Sequence, residues 1–128
     1  MKKKRVLVVD DSEIVLAAAR EALEEGFEVV TALNALEADK YIVCKDKPDI
    51  IVLDVMLPML DGDKKAKMLK ENELTRSIPI LLLSSKPESV LRRLVEESGS
   101  DGFVRKPFSN RQLVTKIREA LGGKPADR

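Results

Sequence analysis

Five short apolar runs alternate with segments of helical periodicity, and no other feature of the chain limits its possible folds so strongly. The runs are continuous and mostly β-branched or leucine-rich, which is typical of strands buried on both faces. They cover residues 6–9, 27–30, 50–53, 80–83 and 103–104. Such alternation predicts parallel strands joined by right-handed helical crossovers. We therefore expect an α/β fold, with a doubly wound, five-stranded parallel sheet and helices on both faces.

The segments between the runs carry apolar residues at spacings of three and four, which predict one buried face per helix. In chain order these faces are Val15, Ala18, Ala19 and Ala22; Ala35, Ala38 and Ile42; Ala66 and Leu69; Leu91, Leu94 and Val95; and Leu113, Ile117, Ala120 and Leu121. Short polar side chains accept backbone N–H groups at helix starts. Ser12, Asp63 and Ser109 are therefore the expected caps of the first, third and fifth helices.

The 128 residues suit one compact domain, which we place at residues 1–121, followed by a polar tail at residues 122–128. Hydrophobic residues make up 44% of the chain and charged residues 35%, as expected of an ordinary globular protein. The basic residues 2–5 precede only four apolar residues, too few for a signal peptide or a membrane span. A cytoplasmic location without a membrane partner is expected.

The composition also excludes several kinds of chemistry. Histidine is absent and Cys44 is the only cysteine, so a Ser-His-Asp triad, an internal disulfide and a cysteine- or histidine-rich metal site are ruled out. A net charge of +1 provides little attraction to nucleic acid, and we expect no direct nucleic-acid binding. Any reaction must therefore use carboxylates, hydroxyls and lysines.

Reactive side chains follow four of the five apolar runs, at the point where each predicted strand ends. Asp10 and Asp11 follow the first run, Asp54 the third, Ser84 the fourth and Lys106 the fifth. In an open parallel sheet the ligand site lies beyond the carboxyl ends of the strands. The sequence thus predicts that three carboxylates, a hydroxyl and an ammonium group share one pocket.

Three carboxylates this close together repel one another unless a cation neutralises them. An oxygen-only cluster suits Mg²⁺, which takes one or two protein carboxylates together with phosphate oxygens. With Lys106 nearby, such a site can neutralise an arriving phosphoryl group. Asp54 is then a plausible carboxylate nucleophile.

These segments together resemble the receiver domains of two-component response regulators, including the single-domain chemotaxis regulator. The matching motifs are the pair Asp10-Asp11 with Ser12, the stretch from Asp54 through Pro58 to Gly62, Ser84, and Lys106-Pro107-Phe108. The resemblance covers residues 5 to about 121. It implies a flavodoxin-like sheet with strand order 2-1-3-4-5.

The resemblance also implies a role for each matching residue. Asp54 is the implied phosphoacceptor, and the implied Mg²⁺ ligands are Asp10 (through water), Asp11, Asp54 and the backbone carbonyl of Met56. Lys106 would pair first with Asp54 and then with the phosphoryl group, and Ser84 would bond a phosphoryl oxygen. Phe103 would act as an aromatic switch, and the Lys106-Pro107 peptide would be cis.

On this resemblance the partners are a sensor histidine kinase or a phosphotransfer protein. A downstream protein target or a second copy would bind through the fourth helix, fifth strand and fifth helix. The chain would not count as an enzyme, because it would catalyse only its own phosphorylation and dephosphorylation.

Each motif taken alone has an ordinary structural explanation. Asp-Asp-Ser after a strand commonly caps a helix, Asp54 before Pro58 could open a turn, and Phe103 could simply be core. A hydrolase of the haloacid dehalogenase class would need a second acid where Met56 stands, and a flavodoxin would need a hydroxyl-rich phosphate loop where the chain has Asp10-Asp11. The remaining alternative is an interaction module of the same fold in which phosphorylation no longer matters.

Overall fold

The computed structural model describes residues 2–122, which form five parallel strands and five helices in strict alternation. The strands are β1 (Arg5–Val9), β2 (Glu28–Ala32), β3 (Ile50–Asp54), β4 (Ile80–Ser84) and β5 (Gly102–Arg105). The helices are α1 (Glu13–Leu23), α2 (Ala35–Ile42), α3 (Gly62–Glu71), α4 (Glu88–Ser98) and α5 (Asn110–Gly122). The sheet order is β2-β1-β3-β4-β5 with every pair parallel, so the expected fold class and strand order are confirmed.

Alternate residues along the strands pack into two separate cores, one on each face of the sheet. Val6 and Val8 of β1 contribute to a core that includes residues of α1 and α5. Leu7 and Val9 contribute to the opposite core, which α2, α3 and α4 cover. This alternation follows from the two-residue period of a strand, and it explains why the central strands are apolar at nearly every position.

The structure corrects two expectations about the helices. In α1 the buried residues are Leu16, Ala19 and Leu23, whereas Ala18 is exposed. The buried face predicted from the spacing of the alanines was about one residue out of phase, because the larger leucines pack against the sheet. The predicted cap of α3 is two residues too late: Asp61 precedes the helix without a side-chain cap bond, and Asp63 lies in the first turn.

The other two predicted caps are confirmed. Ser12 Oγ accepts from the Val15 backbone N–H at 3.3 Å, and Ser109 Oγ accepts from the Gln112 N–H at 3.1 Å. At the end of the chain, Gly122 belongs to α5, one residue beyond the predicted domain boundary. Residues 123–128 of the predicted tail lie outside the described residues. Within residues 2–122, no helix has both the length and the apolar character that crossing a membrane requires.

Candidate functional site

Four neighbouring strands end at the same edge of the sheet, and the predicted reactive residues lie there together. Asp54 is the last residue of β3 and pairs in register with Leu83 of β4. Ser84 is the last residue of β4 and pairs with Arg105 of β5, so that Lys106 follows directly. Asp10 follows β1, whose last residue pairs with Leu53 of β3. Parallel register therefore gathers these side chains into one site.

Asp10 is fully buried, and only one of its carboxylate oxygens is satisfied by a well-aligned hydrogen bond. Oδ1 accepts from the Ser12 backbone N–H at 2.9 Å. Oδ2 has no aligned donor among the described residues, although Lys106 Nζ lies 2.8 Å away. A buried carboxylate oxygen without a full set of donors is costly, and a cation at this position would relieve the cost.

Asp54 is 3% exposed, and few hydrogen-bond donors contact its carboxylate. Lys106 Nζ lies 3.4 Å from its Oδ1, and the Met56 backbone N–H donates to the same oxygen over 3.4 Å. Burial raises the pKa of Asp54, and the charge of Asp10 raises it further, against the opposing effect of Lys106. The positive charge of Lys106 therefore does not fully offset the burial of Asp54 and the negative charge of Asp10.

Lys106 is the one cation that the described residues bring between these carboxylates. Burial alone would lower its pKa, but the contacts with Asp10 and then Asp54 outweigh burial and raise the pKa. The resemblance implies a pairing with Asp54, whereas the ammonium group lies closer to Asp10, at 2.8 Å against 3.4 Å. The lysine remains charged and faces both carboxylates.

The three carboxylates are close enough to share one metal ion. Asp10, Asp11 and Asp54 each offer an oxygen, and these atoms lie within 4.8 Å of one another. Asp11 is exposed, so the cluster opens to solvent on that side. An all-oxygen donor set with an unsatisfied buried oxygen fits Mg²⁺. The Met56 backbone lies beside Asp54, while its side chain is exposed.

Ser84 and Phe103 lie on the same face of the sheet, Ser84 at the end of β4 and Phe103 within β5. Ser84 is buried, and its Oγ accepts from the Lys86 backbone N–H at 3.0 Å. Phe103 pairs in register with Leu82 and packs partly buried against the core under α2, α3 and α4. Lys116 Nζ lies 6.0 Å from the centre of its ring. The expected cis peptide between Lys106 and Pro107 is confirmed.

Gly62 is a site residue whose role the sequence motif did not reveal. A Cβ atom at this position would lie 1.8 Å from the Asp54 carbonyl oxygen, which no side chain can tolerate. Its N–H donates to the Val55 carbonyl at 2.8 Å, so the start of α3 lies directly against the end of β3. Nothing in the local pattern signals this approach, since it joins two segments that only the fold brings together.

Comparison with known proteins agrees with this geometry. Residues 6–118 match the family described as response regulator receiver domain. A putative response regulator from Chloroflexus aurantiacus has a solved structure that superposes with a TM-score of 0.89 at 31% identity, covering 95% of this chain and 100% of that one. Chemotaxis protein CheY4 of Vibrio cholerae superposes with a TM-score of 0.84 at 27% identity, covering 93% and 99% of the two chains.

Two curated relatives illustrate the range of lengths. The chain is 41% identical over 119 residues to the alkaline phosphatase synthesis transcriptional regulatory protein PhoP of Bacillus subtilis, covering 92% of this chain and 48% of PhoP. It is 34% identical over 115 residues to protein PilG of Pseudomonas aeruginosa, covering 89% and 84%. The chain thus spans about half the length of PhoP and of several other relatives that it matches.

Proposed function

This chain belongs to the response regulator receiver domain family, and from that premise we propose that Asp54 accepts a phosphoryl group in a Mg²⁺-dependent reaction. The observation that carries the proposal is the buried Asp54 carboxylate, which lies beside an incompletely satisfied Asp10 and a shared Lys106. A site devoted only to structure would gain from pairing these charges fully. Here the arrangement leaves room for positive charge and for phosphoryl oxygens.

In the proposed reaction an Asp54 carboxylate oxygen attacks phosphorus, and the bond from phosphorus to the donor's leaving atom breaks with its electron pair. When bound by Asp10, Asp11, Asp54 and the Met56 carbonyl, Mg²⁺ supplies positive charge for the phosphoryl oxygens. Lys106 is already within reach of Asp54 and supplies a second positive charge. The Ser84 hydroxyl keeps its proton free to donate to a phosphoryl oxygen, because its oxygen accepts from Lys86.

The proposal includes the partners and setting that the family resemblance implies. The donor is a sensor histidine kinase or a phosphotransfer protein in the cytoplasm, and the chain acts as a switch that catalyses only its own modification. Phosphorylation of Asp54 adds about one negative charge at pH 7 beside Ser84 and Lys106. We propose that the output face, formed by α4, β5 and α5, responds through Phe103 and binds a protein target or a second copy.

Intact-mass measurement after incubation with Mg²⁺ and acetyl phosphate tests the proposal. The parent should gain one phosphoryl group, and chelation of Mg²⁺ should prevent the gain. Asp54→Asn should gain none, because an amide cannot replace the nucleophilic carboxylate. Asp61→Asn changes an exposed acid seven residues away and should leave the gain intact. A phosphoryl group on Asp54→Asn, or none on the parent, would contradict the proposal and favour an interaction module that needs no phosphorylation.

A further inference from the structure

Arg105 joins the end of β5 to the loop between β4 and α4. Its Nε donates to the Lys86 backbone carbonyl at 3.0 Å. Arg105 is the last residue of β5 and pairs in register with Ser84, the last residue of β4. The side chain therefore crosses from one strand to the loop that follows its neighbour.

The Lys86 backbone is held from both sides by these two residues. Its N–H donates to Ser84 Oγ at 3.0 Å, and its carbonyl accepts from Arg105. The next residue after Arg105 is Lys106, whose Nζ lies 3.4 Å from Asp54. Any rotation of the Ser84 side chain that disturbs its bond with Lys86 thus acts on a backbone segment that Arg105 also holds.

The other end of this connection lies on the output face. Arg105 borders a surface groove of roughly 670 Å³ that Phe103 and Lys116 also line. The pKa of Glu88, in the first turn of α4, is lowered chiefly by Arg92 and further by the charges of Arg105 and Lys116. The Arg105 side chain is therefore near the start of α4 as well as the loop before it.

We propose that Arg105 is a positioning residue that transmits the movement of Ser84 to the output face through the Lys86 carbonyl. The inference rests on the proposed phosphorylation of Asp54 and deepens it by naming a coupling contact. A charge-assisted bond to a carbonyl has a preferred direction, so a displaced Lys86 peptide must move the guanidinium or lose the bond. Either change alters the surface between β5 and α4.

Amide chemical shifts of the full chain, recorded with and without beryllofluoride and Mg²⁺, test the inference. In the parent, shifts should change around Asp54, at residues 84–86, and across α4 and α5. Arg105→Gln should keep the changes near Asp54 and Ser84 while reducing those in α4 and α5 at least about two-fold, on the order expected when one coupling contact is lost. Arg105→Lys keeps a cationic donor and should restore part of the response.

Arg111→Gln is the matched control. Arg111 lines the same groove, and among residues 2–122 its side chain makes no hydrogen bond or ion pair, so its replacement should leave the full response. An undiminished response in Arg105→Gln, an equal loss in Arg111→Gln, or failure of Arg105→Gln to bind beryllofluoride would overturn the transmitting role. A parent that shows no shift change anywhere would instead refute the phosphorylation proposal.

Discussion

Asp54 shows how neighbouring groups set the properties of a single carboxylate. Burial and the charge of Asp10 raise its pKa, and Lys106 only partly opposes them. Without a metal, ionised Asp54 therefore destabilises the folded state relative to the unfolded chain, where the carboxylate is fully hydrated. The cost arises from desolvation and from repulsion by Asp10, and it disappears when Asp54 is neutral.

The sign of this effect predicts a pH-dependent stability difference for Asp54→Asn. Because the folded-state pKa lies above the ordinary value of 3.8, the folded state retains a proton that the unfolded state releases, and the parent loses stability as pH rises through that window. In chelator, the stability of Asp54→Asn relative to the parent should therefore increase as pH rises from about 3.5 to 7. Urea unfolding at each pH measures the difference. A difference that does not vary with pH would show that Asp54 ionises as freely in the fold as outside it.

Met59 stores strain in the loop that carries the site. Its φ of 70° lies in the left-handed region, where a Cβ atom crowds the backbone, and its side chain is 83% exposed. Met59→Gly should raise the free energy of unfolding by about 1 kcal/mol, since it relieves strain without removing much packing. The control is Met56→Gly: Met56 is also exposed, but it is not among the described non-glycine residues with positive φ, so the change should not stabilise. Equal effects of both substitutions on the urea midpoint would argue against strain at Met59.

At the scale of elements, Lys70 links α3 to the start of β4 and to the loop before β5. Lys70 Nζ lies 2.9 Å from Asp101 Oδ2 and donates to the Ile78 carbonyl at 2.8 Å. The same Asp101 oxygen accepts from the Ile80 N–H at the start of β4. This network holds α3, β4 and the loop before β5 in one arrangement, far from the carboxylates.

Loss of this tie should cost more than loss of a surface ion pair. Lys70→Met removes the cation paired with Asp101 and the donor to the Ile78 carbonyl, in a site where the lysine side chain is only 15% exposed. Of the donors among residues 2–122, Asp101 then keeps only the Ile80 N–H. The free energy of unfolding should fall by about 2 kcal/mol. Lys67→Met removes the exposed pair with Glu71 and should change it by less than about 0.5 kcal/mol. Similar costs for the two variants would mean that the Lys70 network adds nothing beyond a surface contact.

At the scale of the whole molecule, an apolar sheet lies between two cores, and three carboxylates and Lys106 lie where its strands end. The core residues of the central strands are almost fully buried, whereas the carboxylate cluster opens to solvent at Asp11. The unfolded chain has no such cluster. A cation that binds there must therefore stabilise the folded molecule as a whole.

Mg²⁺ should accordingly raise the free energy of unfolding, with a gain that grows as the logarithm of its concentration above the dissociation constant. At a free concentration about ten times the dissociation constant, the gain should be about 1.4 kcal/mol. Asp11→Asn removes one carboxylate ligand and should abolish most of the gain at the same concentration. Glu21→Gln changes an exposed acid in α1, which does not belong to the carboxylate cluster, and should preserve the gain. Thermal unfolding with Mg²⁺ and with chelator measures the gain, and equal gains in the parent and Asp11→Asn would exclude Asp11 as a ligand.

Much of the fold could be predicted from the sequence, because strands buried on both faces are apolar at nearly every position. The strands lie within one or two residues of the apolar runs. The positions of Asp10, Asp54, Ser84 and Lys106 directly after those runs likewise predicted one site. The strand order could not be predicted from the apolar runs, because periodicity does not say which strands are neighbours. Only the family resemblance supplied it.

What the tertiary structure alone decided depends on contacts between distant segments. The buried face of α1 was set by packing against the sheet, so Leu16 and Leu23 are buried where Ala18 was expected. Gly62 is required because the start of α3 touches the Asp54 carbonyl, an approach that no local pattern encodes. The link from Ser84 through Lys86 to Arg105 depends in the same way on the pairing of β4 with β5. Composition and spacing thus determined which groups meet, while distances and partners followed from how the packed elements approach one another.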